Sequence, residues 1–256
     1  MPQTDLSIVV TVHNESVVSG PTMRSADLAI ARARAAGFIV QPVIALDKAT
    51  PDCRAYFHQP AFDHWARWEV EQGDLGRARN EVIAKCDGEN IAFLDADDLF
   101  SENWLERGLE LIQAGAQVGE ERIAHPELNW LFDGEASVYV KIDQDDPLFS
   151  PHHFAFTNYY DSLCMSPRDA HLACPYVHRD IPNGLSFQDW QYSVETMAAG
   201  YVHRSARDTI IFKRRRDFSL VIESRNREAT VRAIEPLAID RIAMLGRKGG
   251  AALGIQ

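Results

Sequence analysis

This 256-residue chain has few cysteines, no long apolar run and no glycine-rich loop at its start. The four cysteines, Cys53, Cys86, Cys164 and Cys174, show no CxxC spacing, which argues against a disulfide framework or a zinc ribbon and for reduced, buried thiols. Nine histidines are present, but His152-His153 and the pair His171 and His178 near Cys174 match no familiar zinc spacing. No apolar stretch approaches the ~20 residues a membrane helix requires. Met1-Pro-Gln-Thr-Asp-Leu6 lacks a basic segment followed by an apolar core, so the expected compartment is the cytoplasm. Repeats, low-complexity stretches and flexible linkers are also missing.

The composition is that of a globular protein, with 46% hydrophobic and 25% charged residues, enough for one large α/β domain. The net charge is −11, and an acidic body argues against general nucleic-acid binding. The charge is uneven: from residue 200 onward Lys and Arg outnumber Asp and Glu two to one. Such a basic segment suits an anionic partner, and it equally suits a solvated face.

The most informative run is Asn90-Ile-Ala-Phe-Leu-Asp-Ala-Asp-Asp-Leu-Phe100. A short buried strand, Ile91 to Leu94, delivers Asp95, Asp97 and Asp98 onto a turn. Carboxylates this close repel one another unless a cation or a ring of donors sits among them. Hard oxygen ligands suit Mg²⁺ or Mn²⁺ bridging carboxylates to phosphates. The plainer reading is an acidic loop before the next helix, with Ser101 as its N-cap. Just upstream, Leu75, Ala78, Val82, Ile83 and Cys86 recur at helical spacing, with Asp74 as N-cap and Gly88 as stop.

Elsewhere the pattern predicts strands at 6–12, 38–46 and Trp65–Glu71, and helices at Thr22–Ala36 and Trp104–Ala114. Strands alternating with helices predict a mostly parallel central sheet flanked by helices, with ligands beyond the C-terminal strand ends. His13-Asn14, Asp47 and Asp95–Asp98 all fall at such ends. Ala136–Ile142 reads as a strand, and residues 147–185 as irregular loops shaping an acceptor cleft. Phe187–Tyr201 reads as a helix with Trp190, Val194 and Met197 on one face. Glu223–Leu245 reads as a C-terminal helix whose stripe, Val231, Ile234, Leu237, Ile242 and Leu245, is interrupted by Pro236. That stripe suits packing on the body or on a second subunit of a homo-oligomer. A peripheral position on the inner face of an anionic membrane is the alternative.

Gly73 with Ala78-Arg79-Asn80, a short helix, and then Phe93-Leu-Asp-Ala-Asp-Asp98 resemble the family 2 glycosyltransferases, which have the GT-A fold. Leu6–Glu15 is similar to that family's first strand and nucleotide-binding turn, and Val43–Asp47 to its second strand. The resemblance is close over residues 5–115 and looser over 160–220. It implies an inverting transfer of a sugar from a nucleoside diphosphate sugar to a hydroxyl of a carbohydrate or lipid-linked acceptor, in polysaccharide or glycoconjugate synthesis. It implies donor contacts from Thr11, His13, Asn14, Glu15, Asp47, Asp74, Arg79, Asp95 and Ala96. It implies a divalent cation, Mn²⁺ or Mg²⁺, on Asp97 and Asp95. Phe187-Gln-Asp-Trp190 is similar to the family's catalytic-base motif, which makes Asp189 the base, although Gln188 replaces the usual Glu. The run Lys213–Arg216 stands where many members carry a metal-binding His. No His lies in it, so either the metal has a different third ligand or the arginines, Arg216 with Arg214, are expected on the diphosphate.

The expected organisation is a nucleotide-sugar half at 1–115, an acceptor and base half of the same domain at 116–222, and the tail at 223–256. Two other readings stay open. A nucleotidyltransferase-like enzyme would want clustered glycines after the first strand, where this chain has Val12-His-Asn-Glu-Ser16. A GT-A module without catalysis is favoured by Gln188, Gln191 and the missing His.

Overall fold

The Val- and Ile-rich runs near the N-terminus become the middle of a sheet because helices cover both of their faces. The computed structural model describes residues 3–216 and 220–246. Strand β1 (Leu6–Val12) is buried along almost its whole length. Helix α1 (Gly20–Ala35) leads to β2 (Val40–Asp47), α2 (Pro51–Phe57) to β3 (Ala66–Val70), and α3 (Leu75–Lys85) to β4 (Asn90–Asp95). These four strands are parallel in the order β3-β2-β1-β4, with Thr11 level with both Ala45 and Asp95. The polar turns after β1, β2 and β4 therefore leave the sheet at one level.

Beyond β4 the sheet becomes mixed. The further elements are β5 (Leu99–Phe100), α4 (Trp104–Ala116), β6 (Arg122–Asp133), β7 (Ser137–Val140), β8 (Met165–Pro167), α5 (Arg168–Ala173), α6 (Gln188–Ala198), β9 (Val202–Arg215) and α7 (Leu220–Asn226). Strand β8 runs antiparallel to β4 and to β6, β9 runs parallel to β6, and β5 and β7 pair antiparallel to β9 and β6. Among the described residues this makes one sheet of nine strands.

The parallel half follows the sequence pattern closely. Asp74 caps α3 as expected, accepting the Arg77 N–H at 2.9 Å. The second half holds more structure than the pattern showed. Long β6 escapes the pattern because His125-Pro126 interrupts it and because its burial does not alternate. The β6–β9 register shifts between Pro126 and Leu128, where proline offers no N–H to the ladder. Short α2 and α5 and strand β8 also lie in stretches without clear periodicity.

Two expectations are corrected. Ser101 does not cap α4: its N–H donates to the Ile210 carbonyl and its hydroxyl accepts the Ile210 N–H, so it extends the pairing with β9. The helix expected over Glu223–Leu245 is not continuous. It becomes short α7, an extended stretch, and 3₁₀ turns at Glu235–Leu237 and Ile242–Gly246. Pro236, at the start of the first turn, cannot continue an α-helical ladder. The apolar residues still pack inward. Ile242 and Leu245 are buried against Phe154, Tyr160, Val194 and Met197, with Ile234 and Leu237 at the margin. Among the described residues no helix is long and apolar enough to cross a membrane.

Candidate active site

The ends of β1, β2 and β4 converge on one polar centre. The Thr11 hydroxyl donates to Asp95 Oδ1 at 3.0 Å. Arg79, buried on α3, donates to the same oxygen at 2.8 Å while its guanidinium lies over the rings of Phe93 and Tyr176. Asp95 is thus fixed by a cation that aromatic packing holds in place. Ala96 is buried, and its carbonyl accepts the Thr22 hydroxyl, which ties the acidic turn to α1.

The next two carboxylates also meet cations. Arg216 donates to Asp97 Oδ2 at 2.7 Å and lies 3.6 Å from Glu15 Oε1. Burial pushes the Asp97 carboxyl up, against the pull of Arg216. Asp98 is buried, accepts the Arg214 N–H at 2.8 Å and lies 3.6 Å from Lys213 Nζ. Burial pushes its carboxyl up to about 7, with Lys213 opposing. Lys213 also lies 3.9 Å from Asp161. Burial works against the Lys213 charge, but Asp161, Asp98 and Asp95 together keep the ammonium above its ordinary range. Asp161 accepts from Lys141 at 3.2 Å, from the Leu163 N–H at 2.9 Å and from the Asn129 amide. Burial opposes its charge, yet Lys141 and Lys213 hold its carboxyl well below the usual range.

Asp189 sits in the first turn of α6, after Phe187 in the left-handed region at φ 61°. Its carboxylate receives the Trp190 N–H. Burial and the nearby Asp161 push its carboxyl up, and Lys213 pulls the other way. The expected base therefore shares its electrostatic surroundings with the β4 turn. Lys213 and Asp161 are the link between them, and the sequence reading missed both. Lys213 was visible as the first residue of the basic run, and strand alternation separates it from Arg214. Asp161 lies in an irregular stretch that gave no signal.

The other expected residues have more structural partners. His13 Nδ1 and the Asp47 carbonyl are 2.8 Å apart, joining the ends of β1 and β2. The Glu15 carboxylate accepts the N–H groups of His13 and Asn14, shaping the turn after β1. The Asp47 carboxylate accepts the Gln72 and Gly73 N–H groups and so shapes the turn before α3. Asp74 caps α3 with one oxygen and accepts the Arg179 N–H with the other, which ties the second half onto the first. A side chain at Gly76 would meet the Val177 carbonyl at 2.4 Å, so only glycine permits this approach. The Arg214 guanidinium turns away from the centre to Asp133 at 2.7 Å. His171 is buried and stacked on Tyr192, and desolvation lowers its ring pKa to about 3.

Asp95 and Asp97 each keep one oxygen without a hydrogen bond among the described residues, so these two are the side chains that would hold a divalent cation. Among the described residues no three His, Cys, Asp or Glu side chains form a metal-holding group, so bound phosphate would have to complete the coordination.

Residues 47–133 match the model of glycosyl transferase family 2. No curated protein matches the chain. Among solved structures, S. aureus TarS 1-349 aligns with a TM-score of 0.58 at 14% identity, over 82% of this chain and 60% of that one. Its complex with UDP-GlcNAc aligns at 0.56 and 13% identity over 84% and 60%, and its complex with UDP at 0.55 and 14% over 83% and 61%. The chain thus spans about 60% of the length of these structures, and the likeness is one of fold.

Proposed function

We propose that this chain is a family 2 glycosyltransferase of the GT-A fold that transfers a sugar, with inversion, from a nucleoside diphosphate sugar to an acceptor hydroxyl. The observation that carries the reading is the cluster of Asp95, Asp97 and Asp98 at the end of β4, each met by a cation, with Lys213 and Asp161 lying within electrostatic reach of both this cluster and Asp189. A uridine diphosphate sugar is the first donor to test, because a structure of this fold holds UDP-GlcNAc. A polysaccharide or lipid-linked glycan is the acceptor class.

Thr11, His13, Asn14, Glu15 and Asp47 build the turns on which the nucleoside would rest. Asp95 and Asp97 would hold Mn²⁺ or Mg²⁺, which when bound neutralises charge on the departing diphosphate. Arg216 reaches the same place with a planar fork suited to phosphate. Asp189 takes the proton of the acceptor hydroxyl as that oxygen bonds to the anomeric carbon and the bond from that carbon to the diphosphate oxygen breaks. A carboxyl raised by burial is a stronger base than a free one, and this suits the role. The carbon gains oxocarbenium character as the bond lengthens.

Thermal stability against UDP, UDP-GlcNAc and other nucleotides, each with Mn²⁺ or EDTA, tests the reading. A ligand that binds the native state raises the melting temperature. A shift with one nucleoside diphosphate class that needs the cation is the expected result. No shift with any nucleotide would remove the donor assignment.

A further inference from the structure

Two arginines meet the acidic turn, and they are held very differently. Arg79 is buried, stacked over two aromatic rings and bonded to Asp95. Arg216 bonds to Asp97 from a side chain that is 40% exposed, while Asp97 and Glu15 beneath it are 11% and 14% exposed. Arg79 has nowhere to go, whereas Arg216 can turn out toward solvent or toward a ligand. Arg216 is the one cation, among the described residues, paired with Asp97 and Glu15.

A divalent ion shared by Asp95 and Asp97 would lie close to that guanidinium, and two cations on one carboxylate repel each other. Phosphate is a good alternative partner for arginine, since it accepts both prongs of the fork. We propose that Arg216 and a divalent cation exclude one another on Asp97, and that the donor's diphosphate lifts the exclusion by drawing Arg216 onto itself. Arg216 is then a positioning residue that keeps Asp97 neutralised until a donor arrives. The inference rests on the donor reading above and adds an order to it: cation and nucleotide each bind poorly alone and well together.

The test is Mn²⁺ binding by the full chain, followed by electron paramagnetic resonance, in wild type, Arg216→Met and Arg216→Lys, with and without UDP. Without nucleotide, Arg216→Met should bind Mn²⁺ roughly five- to tenfold more tightly than wild type, up to about 1.4 kcal/mol. Arg216→Lys keeps the charge and should stay near wild type. The coupling between Mn²⁺ and UDP should shrink in Arg216→Met, because coupling between two ligands is reciprocal. Equal or weaker Mn²⁺ binding by Arg216→Met overturns the exclusion, as does a failure of all three proteins to bind Mn²⁺ even with UDP. Tighter Mn²⁺ binding by Arg216→Met together with no UDP binding by any of them would uphold the exclusion and sink the donor reading instead. The substituted side chain is 40% exposed just past the end of β9, and an unchanged melting temperature would show that the variants fold.

Discussion

Two buried polar centres lie at successive levels of the β6–β9 pair, and they meet the cost of burial in opposite ways. In the first, His125 and His203 face each other at 2.9 Å, His203 reaches the Thr196 hydroxyl at 3.0 Å, and Tyr160 stacks on His125 at 4.0 Å. Desolvation holds both rings neutral, that of His203 down to about 3. In the second, Lys213, Asp161, Lys141 and Asp98 stay together as charges. The neutral centre is closed, and its members satisfy one another except at His125 Nδ1, which is buried without a hydrogen-bond partner. The charged one opens at Asp95, Asp97 and Arg216, where a ligand can enter. Burial of ionisable groups alone does not mark a site; burial combined with an open edge does.

The sharpest way to break this contrast is Asp189→Asn. Loss of the base should lower kcat about 10²–10⁴-fold while UDP binding persists, read by steady-state kinetics and calorimetry. Near-normal turnover would make the charged centre as structural as the neutral one. Next, Lys213→Met should cost about 3–5 kcal/mol of stability at neutral pH or above, because it leaves Asp161 and Asp98 without their shared cation. The deficit should shrink below the Asp98 range near 7, where that carboxyl takes up a proton. Urea unfolding across pH checks both statements, and a deficit that does not change with pH would separate Asp98 from Lys213.

The neutral centre predicts a different pH response. The His203 pKa is lowered on folding from 6.5 to about 3, so the unfolded chain binds more protons between those values. Its contribution is full above pH 6.5 and is lost as pH falls toward 3, on the order of a few kcal/mol. His203→Asn should flatten the acid limb of stability measured from pH 7 to 4. An unchanged limb would assign acid sensitivity to other groups. The smallest effect expected is at Asp97: Asp97→Asn should weaken Mn²⁺-linked UDP binding roughly tenfold. An unaltered metal titration would take Asp97 out of the site.

Most of the parallel half of the sheet was legible because its signals are local. Strands β1 and β4 are continuous apolar runs, and Asp74 caps α3 as its position suggests. The acidic turn could be read for the same reason. What was hidden depends on distant parts of the chain. Asp161 means little until Lys213 is brought to it, and Ser101 reads as a cap until β9 arrives beside it. Arg214 and Arg216 look equivalent in a basic run, but alternation along the strand sends one to Asp133 and the other to Asp97. The Glu223–Leu245 stripe was read correctly as apolar and wrongly as one helix, because Pro236 divides it and the buried residues come from separate turns.

The segment carrying Ile234, Leu237, Ile242 and Leu245 has a consequence for Asp189, the proposed base. It covers Val194 and Met197, on the same short helix that presents Asp189. The aim of Asp189 is therefore only as steady as this clamp. Amide exchange along α6 would act as a gauge of how firmly the clamp is closed.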